Sequence, residues 1–325
     1  MTNYDSVYGP AIEQFIQMKR KLGFKYRTGN LILIQIDQLA YEFEEKTSGI
    51  TKSFAQKWGE KRSNESPQNR YDRIRHLAQF SSYLCDLGIL SYIPKLPRNP
   101  KSTFVPYIYS SKEITALFVA ADKLRLAQRN MHSSLICIPA LLRLLYATGL
   151  RIGEALALKD EEVNLEENYL RVKDSKNGKE RIIPISTSLV AVCKEYKYYR
   201  EQLPIRDRSE YFFVNTKGTK CGSSVRNWFK RCLSDATIYH TGENHGPRVH
   251  DLRHTFAVTS MASMAEAGVD LYASLPILSN YLGHGSIGAT NHYVRLTANM
   301  YPDLIEDLDI TCLNVFPKYK NYEAN

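Results

Sequence analysis

The stretch Ile93-Pro94-Lys95-Leu96-Pro97-Arg98-Asn99-Pro100-Lys101, with Pro106 soon after, constrains this chain more than any other segment. Proline lacks the backbone donor that a helix or ladder needs, and it holds the residue before it in extended backbone. Closely spaced prolines and basic residues therefore make an extended connector. It divides the 325 residues into two parts. The expected organisation is a helical domain with its linker over residues 1–102, a second domain over 103–308 and a weakly periodic tail over 309–325.

Ahead of the connector, apolar periodicity predicts four helices. They run over about Pro10 to Leu22, ending at Gly23; about Asn30 to Glu45; from near Ser53, as a helix cap; and about Pro67 to Leu87. The fourth carries Arg70, Arg73 and Arg75 at its start and Leu77, Phe80 and Leu84 toward its end. Such arginines can be a solvated basic face over a packed one, or a row of phosphate contacts along DNA. Both readings stay open at this point.

After the connector, Ser110-Ser111-Lys112-Glu113 has the hydroxyl-to-Glu spacing of a helix N-terminal cap. An apolar helix is expected from about Ile136 to Ala147. Tyr169 to Lys173 and Arg181 to Ile185 read as two strands around Asn177-Gly178, the strongest short hairpin signal. A further strand is expected at Tyr211 to Val214, then mostly helices to about residue 308.

Composition narrows the function classes. Lys plus Arg number 43 against 34 Asp plus Glu, a surplus of +9 that suits a polyanionic partner such as nucleic acid. The six cysteines form no C-x-x-C pair, which argues against a zinc site or disulfide scaffold. No basic-then-apolar leader opens the chain, and no apolar run reaches the ~18 residues of a membrane span. A cytoplasmic protein with no membrane partner is the expectation.

Four stretches carry chemistry. Thr148-Gly149-Leu150-Arg151-Ile152-Gly153-Glu154 places an arginine just after a helix-ending glycine, and alone would pass for a surface Arg–Glu pair. In Val249-His250-Asp251-Leu252-Arg253-His254, helical spacing puts His250 and Arg253 on one face, with His254 beside His250. Metal ligation by the two histidines is disfavoured, because the cationic Arg253 lies between them. Tyr281-Leu282-Gly283-His284-Gly285-Ser286 fits a tight turn, and Tyr293 follows it as one of 22 tyrosines. Lys176 precedes the Asn-Gly turn and alone would be a solvated lysine.

Taken together and in order, Arg151, Lys176, His250, Arg253, His284 and Tyr293 resemble, residue by residue, the active-site signature of the tyrosine recombinases, the phage-integrase family. The texture between them matches too, in Lys179-Glu180-Arg181-Ile182-Ile183-Pro184 and His254-Thr255-Phe256-Ala257, over about residues 136–295. The segment Ala265 to Asn280 looks longer than in compact members and is similar to recombinases of transposons and other mobile elements.

The resemblance implies a mainly α fold with a small antiparallel β-sheet in an α+β catalytic domain. An all-α core-DNA-binding domain would precede it, the two forming a C-shaped DNA clamp. It implies Tyr293 as nucleophile and a 3′-phosphotyrosyl intermediate. Arg151 and Arg253 would clamp the phosphate, and His250 would assist the tyrosine proton. His284 would bond a phosphate oxygen, and Lys176 would protonate the leaving oxygen. Glu154 and Asp251 would orient neighbours, and Arg70, Arg73 and Arg75 would contact DNA. No cofactor or metal enters such a scheme. The implied partners are double-stranded recombination sites, further copies of the chain in a tetramer, and accessory DNA-bending or directionality proteins. A topoisomerase of the same chemistry, a DNA-binding regulator without catalysis and a metal-dependent nuclease are the competing readings.

Overall fold

The computed structural model describes residues 4–100, 104–125, 133–173, 180–205, 208–240, 246–286 and 288–301. They divide into two compact units, one through Thr103 and one from Phe104.

The first unit is all-helical: α1 (Gly9–Lys21), α2 (Arg27–Glu42), α3 (Lys52–Gly59) and α4 (Pro67–Asp86). Its core joins Ile12 and Phe15 of α1, Leu33 and Ile36 of α2, Phe54 and Trp58 of α3, and Leu77, Phe80 and Leu84 of α4. The cap of α3 is Thr51 rather than the expected Ser53. Thr51 has extended backbone and accepts from the Phe54 N–H at 3.1 Å, as an N-cap must. Ser66 caps α4 in the same way.

Arg73 departs from the DNA-contact reading. It is 4% exposed, pairs with Glu65 at 2.8 Å and donates to the carbonyls of Trp58 and Glu60. A guanidinium turned inward onto those acceptors has no face left for a phosphate. Arg70 donates to the Gly59 carbonyl, and exposed Arg75 pairs with Asp72. The start of α4 is therefore a stitched junction with α3, and Arg75 alone of the three points to solvent.

In the second unit α5 (Ser111–Asp122) opens with the expected box: Ser110 and Glu113 bond each other's backbone N–H. A 3-10 turn then leads into α6 (Ile138–Thr148), buried along most of its surface, with Arg143 on the remaining face paired to Asp122 of α5. Short α7 (Ile152–Ala155) follows, then β1 (Val163–Asn164), β2 (Tyr169–Val172) and β3 (Arg181–Pro184), an antiparallel sheet in that order. Leu170 pairs with Ile183 and Val172 with Arg181. The Asn177-Gly178 turn and Lys176 lie outside the described residues, as does the tail.

Tyr211 to Val214 does not form the expected strand; β1 is the third member of the sheet. Phe212 and Phe213 are both buried, so no face is free to alternate. Only isolated antiparallel bridges form, Tyr211 with Lys159 and Val214 with Lys220, and between them side chains of α8 (Thr187–Glu201) take part of the backbone bonding: Tyr196 and Arg200 donate to the Phe212 carbonyl, and Tyr196 accepts from the Val214 N–H.

The last helices are α9 (Ser224–Asp235), α10 (Asp251–Glu266), α11 (Leu271–Leu282) and α12 (Gly288–Met300). Helix α10 packs against α6, α11 and α12. Ala257, Val258 and Met261 meet Leu275, Leu278 and Leu282 of α11 and Tyr293 of α12. Among the described residues no helix is long and apolar enough to cross a membrane.

Candidate active site

Two helix ends build the floor of the site. Gly149 ends α6 with φ +60, and Gly283 ends α11 with φ +66, a left-handed conformation that glycine adopts without strain. A Cβ on Gly149 would meet Phe256 Cδ1 at 2.4 Å, so this close approach also requires glycine. Helix ends leave carbonyls unpaired and carry partial negative charge. Here those carbonyls hold the arginines. Arg253 donates through Nη1 to Gly149 O at 2.7 Å and through Nη2 to Leu282 O at 2.9 Å. Arg151 donates to Gly283 O at 3.2 Å.

Arg253 is 2% exposed, and its pKa is pushed down to about 10 by burial and by the neighbouring Arg151 charge, so it remains a cation at neutral pH. Its five N–H groups exceed the two spent on carbonyls, leaving donors over for a ligand. Arg151 pairs with Glu154 at 2.8 Å, and Arg181 joins the same carboxylate at 2.8 Å. Burial works to raise the Glu154 pKa, but bonds and charge from Arg181 and then Arg151 outweigh it and hold it below the usual range. Asp251 is fully buried and forked onto Arg248.

Tyr293 is 1% exposed, and its hydroxyl lies 2.8 Å from His254 Nδ1. Burial raises its pKa, while the charge and hydrogen bond of Arg253 oppose the rise. His254 is pushed down to about 3 by burial and by the cationic neighbourhood, so near neutral pH its ring is uncharged, and its tautomer sets which of Nδ1 and the phenol hydroxyl donates in their hydrogen bond. His250 packs edge-on against His254 with ring centroids 4.9 Å apart. His284 stacks over Tyr293 at 6.3 Å, its Nδ1 bonded to Thr290 at 2.7 Å. Burial and the charges of Arg253 and Arg151 push His284 down to about 4.

The structure thus brings together Arg151, His250, Arg253, His284 and Tyr293, drawn from the α7 entrance, both ends of the turn after α11, and helices α10 and α12. Lys176 is outside the described residues. The hydroxyl's hydrogen-bond partner is His254, beside His250, which the resemblance implies as the group assisting the tyrosine proton. His250 stands at the cap position before α10, one turn earlier, and faces a cavity of about 740 Å³ whose wall also carries Arg226, Lys230 and Arg248. Arg181 was not singled out from the sequence; its spacing after the hairpin signal was the available sign.

This fold is shared with solved DNA complexes. The Tn1549 transposon integrase in complex with transposon right end DNA aligns with a TM-score of 0.60 at 16% identity, covering 87% of this chain and 94% of that one. A lambda integrase tetramer bound to a Holliday junction aligns at 0.58 and 16%, covering 87% and 76%. In sequence, the phage integrase family model matches residues 109–300. A putative integrase/recombinase, y4rB, of Sinorhizobium fredii is 30% identical over 309 residues, 94% of this chain and 98% of its own. Tyrosine recombinase XerA of Pyrococcus horikoshii is 33% identical over 69% of each chain. The chain belongs to the phage integrase family and is a tyrosine-type site-specific recombinase, an enzyme that cuts and rejoins DNA.

Proposed function

We propose that the enzyme recombines the ends of a mobile element, and that Tyr293 is its nucleophile, Arg151 and Arg253 its phosphate clamp. The observation that carries this reading is the tyrosine hydroxyl 2.8 Å from His254 Nδ1 and under the His284 ring, beside the helix-end carbonyls that hold Arg253 and Arg151.

A phenol with a raised pKa is a weak nucleophile until its proton is drawn off. His254 Nδ1 holds the hydroxyl in place, and His250, the more open ring of the edge-to-face pair, carries the proton outward. As the Tyr293 oxygen bonds to phosphorus, charge grows on the two non-bridging oxygens. The forked guanidiniums of Arg151 and Arg253 suit that charge, and His284 supports one oxygen. The bond from phosphorus to the 5′ oxygen breaks; Lys176, which lies between β2 and β3 in sequence, supplies the proton to the departing oxygen. One phosphoester bond forms as another breaks, so the 3′-phosphotyrosine keeps the energy needed to join a new 5′-hydroxyl.

Residues 1–102 serve as the core-DNA-binding domain and 103–308 as the catalytic domain, with 309–325 as a tail that packs on a neighbour. Exchange between two duplexes needs several active sites, and the lambda integrase tetramer on a Holliday junction supports four copies on DNA. The transposon integrase bound to its transposon end supports a mobile-element role. Accessory proteins would set the direction of such a reaction. Incubating the enzyme with two duplexes carrying the element's end and target tests this reading. Recombinant strands support it; relaxation of supercoils without recombinant product would make the protein a topoisomerase instead.

A further inference from the structure

We propose that Arg181 is a positioning residue of the cleavage site, holding Arg151 and the Leu282–Gly283–His284 turn in register and keeping the Arg151 side of the site positive. The proposal rests on the reading of Arg151 as a phosphate ligand.

Arg181 opens β3, and its side chain is 11% exposed. Nη2 donates to Glu154 Oε2 at 2.8 Å, and Nε donates to the Tyr281 carbonyl at 3.0 Å. The guanidinium also lies flat on the α11 terminus: a Cβ on Gly283 would stand 2.8 Å from Nη1. Glu154 in turn accepts from Arg151 Nη1 at 2.8 Å and from the Arg151 backbone N–H at 3.1 Å. Arg151 closes the circuit by donating to Gly283 O at 3.2 Å. The hydrogen-bonded path Arg181, Glu154, Arg151, Gly283 is closed by the α11 terminus itself, where Arg181 donates to the Tyr281 carbonyl and packs against Gly283.

The ring also settles a charge problem. Glu154 is buried, and alone with Arg151 it would cancel the positive charge that a phosphate must find. Arg181 places a second cation on the same carboxylate, so the trio keeps one net positive charge. Arg181 turns its donors toward Glu154 and Tyr281, so it acts through Arg151 and not on the phosphate itself. A lysine would supply the charge but not the two-directional fork.

The test uses the full chain with Arg181→Gln, Arg181→Lys and Arg151→Ala on nicked DNA that traps the covalent adduct. Each substrate carries either a normal scissile phosphate or a methylphosphonate, in which a methyl group replaces one non-bridging oxygen and removes the charge. Arg181→Gln is expected to bind DNA like wild type and to form adduct about 10²-fold more slowly on the normal phosphate. On the methylphosphonate its deficit relative to wild type should largely vanish, and Arg181→Lys should fall between. If Arg181→Gln does not fold, the same ratio for Arg181→Lys decides. An equal deficit on both substrates, or a wild-type rate on the normal phosphate, overturns the proposal when Arg151→Ala shows the selective recovery. Absence of that recovery in Arg151→Ala overturns instead the reading of Arg151 as a phosphate ligand.

Discussion

The hydroxyl of Tyr293 and Nδ1 of His254 are 2.8 Å apart in a pocket that excludes nearly all solvent. The two come from α12 and α10, 39 residues apart, and the contact fixes where the phenol oxygen points. His254→Ala should therefore slow adduct formation by the order of 10²-fold while DNA affinity holds. His254→Gln, whose amide can still hydrogen-bond the hydroxyl, should recover part of the loss. Single-turnover trapping beside a binding titration checks both, and an unimpaired His254→Ala would remove the residue from the account.

Arg253 makes two carbonyl bonds in different directions and still faces the tyrosine. Lysine keeps the charge and loses this geometry. Arg253→Lys should cut the cleavage rate about 10²–10³-fold with little change in the affinity for intact DNA. Rates measured on the nicked trap would show it; a loss in binding alone would mean Arg253 only holds DNA.

In the N-terminal unit, Arg73 is a structural ion-pair partner of Glu65, which it holds below the usual carboxylate range. Removing one member of a buried pair strands the other, so Arg73→Ala should cost about 3–5 kcal/mol. Thermal melts should show the loss. The salt dependence of DNA binding by the remaining folded protein should be unchanged, whereas a reduced slope would restore Arg73 as a phosphate contact.

Acid should weaken the DNA-free fold through the site's histidines. His254 is held down to about 3 and His284 to about 4, with His250 also lowered, against about 6.5 for a free imidazole. Below about pH 6.5 the unfolded chain takes up protons that the folded one refuses. Stability is thus fully present above about 6.5 and falls as the pH drops toward 4 and then 3. Melting temperatures from pH 7 to 4 should decline more steeply in wild type than in His254→Gln/His284→Gln. Parallel declines would contradict the assignment.

Much of this was legible in the sequence because it rests on local rules. Ser110 with Glu113, Gly149 and Gly283 mark their helix ends by residue type alone, and the strands on either side of Asn177-Gly178 pair antiparallel as the hairpin signal implies, although Leu170 meets Ile183 where a two-residue turn there would bring it to Ile185. What escaped depends on side chains meeting across the fold. Tyr211 to Val214 has strand-like residues, but Tyr196 and Arg200 take the Phe212 carbonyl and the Val214 N–H, leaving only isolated bridges at its two ends. Arg73 looks like any basic residue until Glu65 and two carbonyls fold onto it. His250 and His254 are one turn apart, and only the approach of α12 decides which one Tyr293 reaches. The hairpin signal places Arg181 at the start of a strand, but its role comes from Glu154 and the Tyr281 carbonyl, which only the fold brings to it.

The most direct measurement is covalent trapping on a nicked copy of the element's junction, wild type beside Tyr293→Phe, on a denaturing gel with EDTA present. The account predicts a protein–DNA band for wild type and none for Tyr293→Phe, although both bind the DNA. A band that persists in Tyr293→Phe would place the nucleophile on another residue and contradict it.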